Sequence, residues 1–227
     1  MPPFIGVRVR ASNLTFHGVG EHDRPLAPSE AHVWLSAGQF ESVLDAVDGR
    51  GDVRITFDDG NASDVAHALP ALRRRGLSAT FFVVAGRLGE PGFLDAGDVR
   101  ALSAAGMTIG CHGMRHRAWR RLDDRELREE LVEARRLLED VVERPVTHAA
   151  CPFGAYDRRV LGSLRSSGYE QVYTSDTGTT RPDRWLQARN TVCQGDDGDL
   201  LEHIVSSERS RYRTLRRRAR LVAKRWR

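Results

Sequence analysis

The sequence predicts an α/β fold built on parallel strands, and three observations carry that prediction. Short β-rich runs alternate with helical stretches along most of the chain, the signature of parallel strands covered by helices. Polar clusters follow several of those runs directly, which suits a barrel mouth, where chemistry collects at the C-terminal ends of strands. No GxGxxG follows any of them, so an open dinucleotide-binding sheet lacks its fingerprint. At 227 residues, 40% of them apolar, the chain can bury the core of one domain.

Taken in order, Val53 to Phe57 alternate as a strand and Ala79 to Val84 form the apolar run of a buried parallel one. Between them a helix is expected from Ser63, a good N-cap, to Arg75, with Ala66, Leu69 and Leu72 on one side and Gly76 as its stop. A helix near Asp95 to Ala105 ends at Gly106 and leads into a strand at Met107 to Gly110. From Asp123 to Val142, Leu127, Leu131, Ala134, Leu138 and Val141 fall at helical spacing, with Glu and Arg on the other faces. Pro145 separates that helix from a strand at Val146 to Cys151. A helix near Asp157 to Ser167 precedes Gly168 and a strand at Gln171 to Thr174, and a last strand is expected near Trp185 to Arg189.

The formal net charge of +4 is unevenly placed: Glu208 to Arg227 carries ten Arg or Lys against one Glu, so the rest of the chain is mildly acidic. A nucleic-acid partner is therefore not expected, and the organisation reads as a catalytic domain over 1–205 and a basic tail over 206–227. Tyr212, Leu215, Ala219, Val222 and Trp226 give the tail an amphipathic helical pattern, so residues 208–227 offer a peripheral contact for an anionic membrane, an ordinary packing helix being the alternative. No signal-peptide core or apolar run long enough to span a bilayer is visible, which suggests a cytoplasmic chain or one peripheral to the inner membrane face. Cys111, Cys151 and Cys193 are far apart and form no CxxC pair; they read as reduced thiols.

Two segments carry chemistry. In Thr56-Phe-Asp58-Asp59-Gly60 two adjacent carboxylates follow a strand. Like charges at such a rim are tolerated where a cation occupies one and proton transfer the other, although an Asp-Gly turn or a helix cap gives a plainer reason. In Gly110-Cys-His112-Gly-Met-Arg-His116 two imidazoles stand four residues apart after another strand, a spacing that can chelate a divalent metal with a carboxylate as third ligand.

Together these segments resemble the polysaccharide deacetylases, the NodB-type carbohydrate esterases, whose signature joins a TFDDG segment to an HxxxH segment. The resemblance covers most of Asn13 to Val192, including Ala71 to Val83 and Ala150-Cys-Pro-Phe-Gly154. It implies an irregular (β/α) barrel of about seven parallel strands. It also implies a hydrolase that removes N-linked acetyl groups from an N-acetylated sugar or polysaccharide. Asp59, His112 and His116 would be the metal ligands, Asp58 the general base, and the Phe153 N–H an oxyanion donor. Zn²⁺ is the expected metal, with Co²⁺ or Ni²⁺ acceptable to the same ligands.

The chain departs from the family pattern in four places. Many members supply an Arg for the base carboxylate where Ala150 stands, and Arg189 could replace it. Gly113 replaces the Ser or Thr that usually follows the first His. A late catalytic His is not recognisable, His203 lacking its context. Leu14-Thr-Phe-His17-Gly instead resembles circularly permuted members whose acid histidine precedes TFDDG, so His17 is the candidate acid. Asp176 could orient a histidine, as an acidic residue of the family's fourth motif does. Hydrolysis of a small non-peptide amide, or glycan binding without catalysis, are the rival functions.

Overall fold

In the computed structural model, which describes residues 10–22 and 24–196, seven parallel strands close into a barrel. We number nine strands in chain order: β1 Ser12–Phe16, β2 Gly18–Val19, β3 Trp34–Leu35, β4 Val53–Phe57, β5 Ala79–Val83, β6 Thr108–Cys111, β7 His148–Ala150, β8 Gln171–Thr174 and β9 Leu186–Thr191. The barrel order is β1-β4-β5-β6-β7-β8-β9, closed by β1 against β9, while β2 and β3 form a separate parallel pair. The expected barrel is thus present. The tail, His203 and the proposed domain boundary lie outside the described residues.

Strand alternation splits the side chains into two environments. One parity faces the helices: Phe57 stacks on Phe81 with centroids 4.6 Å apart and on Phe16 at 5.3 Å, and Phe40 of the helix Ala37–Val47 meets Phe16 edge-on at 5.1 Å. Each fully buried ring contributes about 1.5–3 kcal/mol. The other parity fills the barrel with polar groups: Asn13 donates to Gln187 Oε1 and the Ala188 carbonyl, the Thr15 and Thr56 hydroxyls lie 3.0 Å apart, and Arg189 packs over Phe82. Buried polar atoms persist only when paired, so this interior fixes register and, at its C-terminal end, presents charge.

The helices differ from expectation in detail. Asp95, Asp123 and Asp157 each cap a helix by accepting a backbone N–H three residues on. Ser63 does not cap; its hydroxyl accepts from the Val19 N–H, tying β2 to the turn after β4. The two expected long helices contain π turns at Asp64–Ala68 and Glu129–Glu133. The helix Ala37–Val47 was not anticipated, although Phe40, Val43, Leu44 and Val47 form its buried stripe behind a Ser36 cap. No helix among the described residues is long and apolar enough to cross a membrane, and all three cysteines are free thiols.

Candidate active site

At the C-terminal mouth, strand β4 delivers the two carboxylates in different ways. The Asp58 N–H still donates to the Phe16 carbonyl (3.0 Å), so Asp58 keeps the sheet register and follows Thr56 on the inward face. Asp59 then leaves the strand in the left-handed region with φ 75°, a conformation costing a non-glycine residue about 1–3 kcal/mol. Three of the four described non-glycine residues with positive φ are Asp59, His116 and Phe153, so backbone strain collects where the chemistry is expected.

Arg189, on β9, is buried inside the barrel and grips Asp58 with both terminal nitrogens, Nη1 to Oδ1 at 2.5 Å and Nη2 to Oδ2 at 2.7 Å. The guanidinium absent from position 150 therefore arrives from a different strand. Ala150 takes a small place beside Phe82 and Tyr173. Burial alone would raise the Asp58 carboxyl, but Arg189 and then His112 outweigh it and hold the group well below the ordinary carboxylate range.

His112, nearly inaccessible, donates from Nδ1 to the Ala150 carbonyl at 2.9 Å. A carbonyl only accepts, so Nδ1 carries a hydrogen and Nε2 is the atom turned to the carboxylates, 3.6 Å from Asp58 Oδ2 and 3.7 Å from Asp59 Oδ1. His116 Nε2 lies 3.2 Å from Asp59 Oδ1. Burial, followed by the neighbouring His112, lowers the His116 imidazole to about 4, so that ring is neutral at physiological pH. Asp59, His112 and His116 each offer one donor atom within 4.8 Å of the others, and Asp59 Oδ1 is buried with no hydrogen-bond partner. Two imidazole nitrogens and an orphaned carboxylate oxygen fit a divalent cation, three protein ligands leaving a coordination position for water or substrate.

The remaining sequence candidates divide. His17 follows β1 alongside Asp58, half-buried, with Nδ1 lacking a partner, and its charged form would lower the Asp58 carboxyl. Phe153 occupies the turn Pro152–Gly154, the residue 69% exposed and its ring centroid 4.6 Å from that of His116. Asp176 accepts from the Tyr156 hydroxyl at 2.6 Å and the Thr174 hydroxyl at 2.9 Å.

Four further residues at the site were not read from the sequence. Asn61 donates to the His17 carbonyl at 3.1 Å and accepts from Arg24, which also forks onto Glu30. Asp64 is fully buried behind the pair, neither oxygen finding a hydrogen-bond partner of normal geometry. Burial, with Asp59 and Asp58 nearby, pushes its carboxyl well above the ordinary value. Glu130 is buried against the loop joining the two histidines.

A family model described as "Polysaccharide deacetylase" matches residues 46–172. YxkH of Bacillus subtilis is 24% identical over 206 residues, 88% of this chain and 71% of that protein. A peptidoglycan-N-acetylglucosamine deacetylase of Bacillus cereus is 24% identical over 159 residues, 70% of this chain and 68% of its own. The Streptococcus pyogenes deacetylase PplD shares the fold with a TM-score of 0.77 at 17% identity, covering 87% of this chain and 98% of its own. With more than half of its length inside the family match, the chain belongs to the polysaccharide deacetylase family.

Proposed function

We propose that this chain is a metal-dependent hydrolase that removes N-linked acetyl groups from an N-acetylated sugar or polysaccharide. The observation that carries the reading is the pairing at one mouth of two devices with different demands. A carboxylate held ionised by Arg189 stands 3.6 Å from His112, and His112 belongs to a three-donor cluster whose Asp59 oxygen has no other partner. The kinship with a peptidoglycan-N-acetylglucosamine deacetylase supports an N-acetylated glycan as the substrate class.

Asp59, His112 and His116 would hold the cation, Zn²⁺ fitting best and Co²⁺ or Ni²⁺ acceptable. When bound, it would supply Lewis acidity, acidifying a water and polarising the acetyl carbonyl. Asp58 accepts the proton of the attacking water; Arg189 keeps this carboxylate ionised and aimed. The Phe153 N–H donates to the carbonyl oxygen as it gains negative charge. His17, with Nδ1 unpaired at the same rim, protonates the departing nitrogen, so that acetate and a free amine leave.

The test is acetate release from a series of N-acetylglucosamine oligomers by zinc-loaded and chelated protein. Release confined to the loaded sample is expected. Equal release after chelation overturns the metal assignment, and no release from folded, zinc-loaded protein overturns the substrate class.

A further inference from the structure

The loop between the two histidines is fixed from outside the barrel. Glu130 is only 2% exposed. Its Oε2 accepts from the Met114 N–H at 2.9 Å and the Trp119 indole at 3.3 Å, and its Oε1 accepts from the Arg115 N–H at 3.1 Å. The carboxylate therefore engages two consecutive backbone donors of the His112–His116 loop, and an ionised acceptor strengthens each of these bonds. Gly113 makes the approach feasible: a Cβ there would meet Glu130 Oε2 at 2.2 Å, and its φ of +87° is open to glycine at little cost. Glu130 itself sits in the π turn Glu129–Glu133, where Glu130 and Leu131 are both buried. Turns of this kind recur at functional sites.

We propose that Glu130, admitted by Gly113, is the positioning residue of the metal centre. It locks the loop so that His112 and His116 hold their spacing before a cation arrives. Loss of an outer-shell partner of this kind lowers metal affinity about 10–100-fold. This inference rests on the proposed metal site, so its test must separate the two.

Zinc affinity is measured by competition with a chromophoric chelator for the full chain and for Glu130→Gln, Gly113→Ala, the double variant and Asp59→Ala. Thermal melts of the chelated proteins ensure that each is compared while folded. Glu130→Gln and Gly113→Ala should each weaken zinc binding about 10–100-fold, and the double variant should be little worse than the weaker single, since both break one contact. If Glu130→Gln does not fold, Gly113→Ala decides alone. Zinc affinity within twofold of wild type in the folded variant, with only the melt lowered, overturns the inference. Wild-type affinity in Asp59→Ala overturns the metal reading and this inference with it; zinc lost in Asp59→Ala but kept in Glu130→Gln removes this inference alone.

Discussion

The two ends of one barrel carry similar polar residue types and treat them differently. At the C-terminal mouth, groups are aimed at one another without being satisfied: Asp59 Oδ1 and His17 Nδ1 are buried without partners, and three residues hold left-handed backbones. At the N-terminal mouth, a cavity of about 330 Å³ is lined by Arg54, Thr80, Thr108, His148, Gln171 and Tyr173. There the Tyr173 hydroxyl donates to Gln171 and the Thr147 hydroxyl pairs with His148. The inward strand parity is common to both ends. Left-handed backbones and an orphaned carboxylate oxygen distinguish the first, as expected where a ligand completes the structure.

Breaking the unsatisfied end should cost most. Asp58→Asn should lower acetate release about 10²–10⁴-fold, the contribution of a positioned base. It also leaves Arg189 buried without its counter-charge, so a denaturant melt should show a stability loss approaching about 3–5 kcal/mol. His17→Ala should reduce turnover about 10²-fold, the lower range for a general acid, while bound zinc stays at the wild-type level; unchanged turnover removes His17 from the reaction.

Asp64→Asn sharpens the comparison through pH. A carboxyl raised in the folded state destabilises as pH climbs above the unfolded value near 3.8. In chelated protein, melts should therefore show the variant more stable than wild type at pH 8, by about 1–3 kcal/mol, because the amide carries no charge to bury beside Asp59 and Asp58. The two should converge below pH 4. At the N-terminal mouth, His148→Ala should leave acetate release within about twofold, as substitutions away from reacting groups do. A large loss there would place chemistry at both mouths.

The sequence showed the periodic elements well because burial wrote them as pattern: Val53 to Phe57 and Gln171 to Thr174 match their observed strands. It also showed Asp58, Asp59, His112 and His116, which directly follow β4 and β6, two strands on either side of β5. Arg189 stood out only as a candidate replacement for the guanidinium missing at position 150; its grip on Asp58 became visible once barrel closure set β9 beside β1 and brought it 131 positions back. Glu130 had a local signal that went unread: it stands three residues after Leu127 and four before Ala134, on the apolar stripe, where a lone acid needs a partner. Asn61 and Arg24 offered no such signal, since their roles depend on contacts made 37 and 44 positions apart in the chain.

The most direct measurement takes bound zinc and acetate release from the same samples of wild type, Asp58→Asn and Asp59→Ala. Asp58→Asn should retain zinc and lose release, whereas Asp59→Ala should lose both. Asp59→Ala that binds zinc and releases acetate like wild type would contradict the division of labour between the two carboxylates on which the account rests.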